Sequence, residues 1–117
     1  MKNEDLSITE KIKFIQDTIY TISGKWKLPI LMALYSGASR FRDIQRSVEA
    51  ITTRVLSKEL KELESHLLIN REVDDTYPRT ITYTVTEYAF TLKPLVDEMI
   101  NWGRKHRMTV TGKRLGR

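Results

Sequence analysis

The chain changes its hydrophobic period twice. Apolar residues first recur three and four apart at Ile8, Ile12, Ile15, Ile19 and Ile22, the spacing of a helix lying along another helix. Ser7 and Glu10 frame its start as a capping box, and Ser23-Gly24 ends the seam. Pro29 suits the first turn of a second helix near Leu28. Ile30, Leu31, Ala33 and Leu34 make that helix apolar nearly all round, and Gly37 is its stop signal. Phe41, Ile44 and Val48 mark a short third helix. A fourth follows from a cap at Thr52 or Thr53, with Leu56, Leu60, Leu63 and Leu67 as its stripe.

The period then shortens to two. LINREV and TITYTV are β-branched and alternating, with Ile69 and Val73 on one face and Ile81, Tyr83 and Val85 likewise. DDTYPR between them is a hairpin loop, because Pro78 cannot sit in a central strand. Thr86-Glu87 caps a last helix carrying Leu92, Leu95, Val96, Met99, Ile100 and Trp102, with Pro94 either in its first turn or kinking it. The expected fold is therefore mainly α with a small β-hairpin (α+β). It is a winged helix-turn-helix flanked by N- and C-terminal dimerisation helices, occupying residues 8–103, with a basic tail over residues 104–117.

Composition narrows the function. At 117 residues the chain holds one domain. No run is long and apolar enough to span a membrane and no leader precedes a cleavage site, so a cytoplasmic location without membrane partners is expected. The absence of cysteine removes disulfides, thiol nucleophiles and cysteine zinc sites. His66 and His106 stand far apart without ligand spacing around them, so no metal or other cofactor is expected. There is no phosphate-cradling glycine loop, nucleophile elbow or carboxylate pair, and catalysis has no support.

The net charge of +5 and pI of 9.6 mislead if read whole. Six of the 20 bases lie in residues 104–117, which hold no acid, so the body is close to neutral. For that tail, solvated charge is favoured over phosphate contact. Within residues 39–61, however, Arg40, Arg42, Arg46, Arg54, Lys58 and Lys61 face only Asp43, Glu49 and Glu59.

The fourth helix concentrates this patch and runs against its own dipole. Arg54 and Lys58 come early, Glu62 and Glu64 late, whereas a helix prefers the reverse. A polyanion across its N-terminal end would account for that order. In a helix-turn-helix the second helix enters the DNA major groove by its N-terminal residues. Thr52, Thr53, Arg54, Ser57 and Lys58 are thus candidates for base edges or the adjoining backbone, Arg54 for guanine above all. Lys61, further along, suits phosphate. For Arg40 and Arg42, phosphate contact and plain solubility are both open. Arg79 and, behind it, Tyr77 would serve a wing reaching the minor groove or flanking phosphates, against repulsion from Asp74 and Asp75. Trp26 is assigned to the core.

The isoleucine seam could simply pack on its own domain. Two apolar helices at opposite ends of so short a chain nevertheless leave surface to cover. Pairing Ile8, Ile12, Ile15, Ile19 and Ile22 with Val96, Met99, Ile100 and Trp102 across a two-fold axis would cover it and present two recognition helices to a palindromic site. The expected function is a DNA-binding transcriptional regulator, more often a repressor, acting as a homodimer on double-stranded operator DNA. The alternative is a winged-helix adaptor whose basic face docks an acidic protein. A small-molecule effector stays open, with no polar constellation to mark its site.

Beyond element order, ISGKWKLPILMAL, SRFRDIQRSV, ITTRVLSKELKELESHLLINREV and YPRTITYTVTEYAFTL resemble the HxlR-type family of MarR-related bacterial regulators. Three signatures carry the likeness in register: G-K-W at Gly24 to Trp26, R-V-L-x-x-x-L-x-x-L from Arg54 to Leu63, and P-R-x-x-x-Y-x-x-T-E from Pro78 to Glu87. The resemblance spans about residues 13–103 and implies a dimeric winged helix on operator DNA, paired through its first and last helices. Redox-sensing members of the family carry a cysteine early in the first helix. The aligned position here is Lys13, so a cysteine redox switch is not implied.

Overall fold

The computed structural model describes residues 2–114; the tail residue Arg117 lies outside them. After a short 3-10 turn at Asn3–Asp5 the order is α1 (Ile8–Ile22), α2 (Lys27–Tyr35), α3 (Phe41–Ser47), α4 (Thr53–Ser65), β1 (Ile69–Asp74), β2 (Thr80–Val85) and α5 (Glu87–Arg114). The fold is mostly helical with one antiparallel hairpin, as the periodicities predict.

Local signals act where expected. The Glu10 amide donates to Ser7 Oγ at 3.1 Å, and the Ser7 amide to Glu10 Oε1 at 2.9 Å, completing the capping box. Hydrogen bonding from the Ser7 amide first, then from its side chain, holds the Glu10 carboxyl below its ordinary range. Gly37 takes φ +107° just past α2, with the Ala38 amide donating to the Ala33 carbonyl and the Gly37 amide to that of Leu34. That pair of bonds is a Schellman motif, which favours glycine because a side chain is disfavoured in the left-handed region.

The same motif ends α4, but with leucine at the left-handed position. Leu67 has φ +64°, and the Leu68 amide donates to the Leu63 carbonyl. The expected stripe of Leu56, Leu60, Leu63 and Leu67 is therefore corrected at its last member. The helix stops at Ser65, the chain reverses hand, and Leu68 enters the core while Leu67 faces outward. Three-and-four spacing holds only while the backbone stays helical.

The core is drawn from α2 to α5. Ile30, Leu31 and Leu34 meet Ile44, then Leu56, Leu60 and Leu63, and the hairpin closes over them through Ile69. β1 and β2 pair Ile69 with Val85 and Val73 with Ile81, and the Tyr83 amide reaches across to the Ser39 carbonyl at 2.8 Å. This ties the wing to the chain just before α3. Trp26, expected in the core, packs half-buried against it, with Lys25 Nζ over its ring.

For the last helix one of two alternatives falls away and one expectation changes. Pro94 lies about two turns inside α5, not in its first turn, and it deprives the Phe90 carbonyl of its usual amide donor. Nearby, the Tyr35 hydroxyl donates to the Ala89 carbonyl and ties α2 to this stretch. Nor does the chain loosen at Arg104. α5 continues through Gly103 to Arg114, so most of the expected tail is a helical extension.

The terminal helices do not share the compactness of the centre. The radius of gyration is 17.6 Å, against about 13 Å for a compact domain of this length. On α1, Ile8, Ile12, Ile15 and Ile19 are exposed, as are Met99, Ile100 and Trp102 on α5. Ile22 and Val96 differ from this set. Both are already buried within the chain: Val96 belongs to its own packing, while Ile22, with little surface exposed, lines the apolar groove between α1 and α5. Among the described residues no helix is long and apolar enough to cross a membrane.

Candidate nucleic-acid interface

The interface is built on α3, the turn after it, α4 and the hairpin. Ala50 adopts φ +69° in the turn, and Gln45 Nε2 bridges its two sides, donating to the Ile51 carbonyl at 3.3 Å and to Thr53 Oγ1 at 3.2 Å. Thr52 caps α4, its Oγ1 accepting from the Val55 amide at 3.2 Å. That settles which threonine caps and leaves Thr53 as the first helical residue.

With Leu56, Leu60 and Leu63 buried on one face of α4, the opposite face is forced outward. Thr53, Arg54, Ser57, Lys58 and Lys61 line a shallow hollow there together with Glu62. Five of the residues expected to meet DNA thus come together on one exposed surface. Thr52 is exposed beside them, while Arg40 and Arg42 are exposed at the start of α3 and do not line the hollow. Arg79 lies at the hairpin tip with its Nε 3.1 Å from Asp75 Oδ1, so part of its charge is matched locally. Tyr77 is almost wholly exposed beside it. Thr76 donates to Asp74 from its amide and hydroxyl, holding that carboxyl below its ordinary range.

Sequence reasoning missed two features. Arg71 lines a second hollow with Ser57, Leu60, Lys61, Glu64 and Tyr83, between α4 and the hairpin. The signal was present, since a strand alternates faces and Arg71 falls between Ile69 and Val73 on the face turned to α4. The second feature is a buried ion cluster. Lys27, at the start of α2, lies 3.0 Å from Glu59 Oε2 and also donates to Glu62. Lys27 and Glu59 are each about nine-tenths buried, and Glu62 Oε1 stands 3.9 Å from Lys58 Nζ. Burial opposes the Lys27 charge, but the hydrogen bonds to Glu62 and Glu59 outweigh it and hold the ammonium above its ordinary range. The Glu62 carboxyl is held below its own range by the Lys27 hydrogen bond first, with Lys58 adding to it. No sequence spacing pairs residues 32 and 35 positions apart.

This cluster revises the reversed charge order of α4. Glu62, one of its two late acids, together with Glu59 answers a cation on another helix. Lys58 stands within reach of Glu62 as well, and Arg54, at the start of the helix, is the early base whose place this cluster does not explain.

Likeness to known proteins agrees with the geometry. Residues 21–111 match the family model described as HxlR-like helix-turn-helix. An HTH-type transcriptional regulator of Halalkalibacterium halodurans is 39% identical over 103 residues, covering 83% of this chain and 91% of its own. Another, from Methanothermobacter thermautotrophicus, is 36% identical over 103 residues, covering 88% and 79%. A solved structure from Enterococcus faecalis V583, described as a MarR-family transcriptional regulator, superposes with a TM-score of 0.80 at 30% identity, covering 94% of this chain and 98% of that one. HypR, described as a redox regulator, superposes in its reduced form at 0.77 and 34% identity, covering 84% and 97%. With the match extending over most of its length, the chain belongs to the HxlR-like helix-turn-helix family of MarR-related transcriptional regulators.

Proposed function

We propose that the chain binds a specific, pseudo-palindromic DNA operator as a homodimer and represses transcription in the cytoplasm. The observation that carries this reading is α4, whose leucine face is locked into the core while Arg54, Ser57, Lys58 and Lys61 share one exposed face. Arg54, near the helix N-terminus, reads a base edge. Thr52, Thr53, Ser57 and Lys58 add base or backbone contacts. Lys61, Arg40 and Arg42 hold phosphates, and Arg79 with Tyr77 reaches the flanking groove. Arg71 adds a cation on the hairpin side.

The homodimer rests on an apolar groove of about 680 Å³ between α1 and α5, lined by Phe14, Ile15, Ile19, Leu95 and Met99 among others. Ile8, Ile12, Ile100 and Trp102 extend the exposed apolar surface. A second copy pairing there presents two α4 helices to one side of the duplex, on half-sites spaced by about one turn of B-DNA or a multiple of it. HypR is described as a redox regulator. These 117 residues carry no cysteine, so the signal read here is of another chemical kind, with a small-molecule effector open.

The test is a titration with the DNA upstream of the gene and with a scrambled duplex, across a salt series. Specific binding shows as preference for the upstream fragment and a steep loss of affinity with salt. Equal affinity for both duplexes at every salt concentration overturns the reading and favours an adaptor.

A further inference from the structure

We infer that Lys27 is a positioning residue for DNA binding, acting through Glu59 and Glu62 from the buried side of α4; this rests on α4 being the DNA-contacting helix. The recognition helix carries its acids among its bases, and Glu62 lines the same hollow as Arg54, Lys58 and Lys61. An unmatched carboxylate there repels the phosphate backbone and competes for Lys58, 3.9 Å away. Lys27 prevents both. Its Nζ lies 3.0 and 3.3 Å from the two Glu59 oxygens and binds the Glu62 oxygen that does not face Lys58. Glu59 is thereby kept buried without an uncompensated charge. Glu62 is tethered from behind, so that Lys58 can exchange it for a phosphate while the carboxylate keeps a cationic partner. Lys27, being buried, does not itself meet DNA. It sets the charge that α4 presents.

Removing Lys27 alone strands a buried carboxylate, so the informative variant is Lys27→Met/Glu59→Leu, which replaces the buried pair with apolar groups of similar size. Such replacements are often neutral in stability, and thermal melting checks that the variant folds. The probe is a fluorescein-labelled duplex of mixed sequence, read by anisotropy across a salt series. The double variant binds about fivefold to tenfold more weakly than wild type, the order expected of one uncompensated charge near a polyanion. Its logarithmic salt slope falls by about one, as for one lost phosphate contact. Adding Glu62→Gln recovers both quantities, and the same substitution improves binding less in the wild-type background, because there Lys27 already holds the charge. Lys27→Gln, which keeps a donor toward Glu59 without the charge, weakens binding in the same sense and is a second route to the test.

A folded double variant that binds like wild type overturns the inference and leaves the DNA-binding reading intact. Weakened binding that Glu62→Gln does not recover also overturns it, since the loss would then not run through the Glu62 charge. A wild-type protein that binds no duplex at any salt overturns the reading and the inference with it.

Discussion

α1 and α4 carry the same kind of stripe and meet opposite fates. Each has apolar residues three and four apart among mostly polar ones. In α4 the stripe is sealed, with Leu56, Leu60 and Leu63 at 2% exposure or less, whereas Ile8, Ile12, Ile15 and Ile19 of α1 lie between 48% and 71% exposed. Hydrophobic period therefore reports that a helix face needs cover, not who provides it. α4 finds cover in α2, α3 and the hairpin because short connections return those elements onto it. α1 leads into the rest at Ser23-Gly24, and of its residues only Ile22, next to that junction, is buried.

The contrast can be broken at either helix. The largest effect falls on α4, where Leu60→Ala should cost about 2–5 kcal/mol of unfolding free energy by cavity formation, read by urea denaturation. Ile15→Glu, on the α1 stripe, should leave the melting of the helix-turn-helix body nearly unchanged. It should instead convert the proposed dimer to monomers in sedimentation, with at least about tenfold weaker operator binding because a charge enters the paired surface. An Ile15→Glu protein that still sediments as a dimer would place the interface elsewhere.

A smaller effect separates the residues on α4's exposed face. Arg54→Ala should cost about 1–3 kcal/mol of operator binding and relax preference at one base position, whereas Lys61→Ala should weaken all duplexes alike. Competition binding with single-base operator variants distinguishes them, and identical behaviour would merge the two roles.

The smallest effect is on pH dependence. Glu62 is held below its ordinary value of 4.5, so its contribution to stability is present at neutral pH and lost as pH falls below that value. Lys27 is held above its ordinary value of 10.5, so its contribution is present below that value and lost only as pH rises beyond it. Glu62→Gln should therefore flatten the acid limb of a stability–pH profile and soften the alkaline one, where Lys27 keeps only Glu59. An unchanged acid limb would show that the Glu62 bond adds nothing to folding.

Much of the fold was legible because its signals are local. The Ser7–Glu10 box, the Thr52 cap and the Gly37 stop each depend on residues within one turn. The site was legible in the same way, since Thr53, Arg54, Ser57, Lys58 and Lys61 share a face once α4 is a helix. Where local rules met a competing one, reading failed. Leu67 fits the leucine period, but Leu68 takes the buried place after the left-handed turn. Arg71 broke a strand's alternation, and its neighbourhood became visible only when the hairpin lay beside α4.

The sequence by itself determined the order of elements, the faces they would bury and the exposed bases of α4, because backbone period and capping act over a few residues. Tertiary structure alone decided that Ile22 and Val96 are covered within the chain while Ile15 and Met99 are not. It also decided that Lys27 of α2 pairs with Glu59 and Glu62 of α4 from the buried side of that helix. Both depend on residues far apart in sequence meeting across a packed interior, where removal from water makes an unmatched charge costly and an uncovered apolar face consequential.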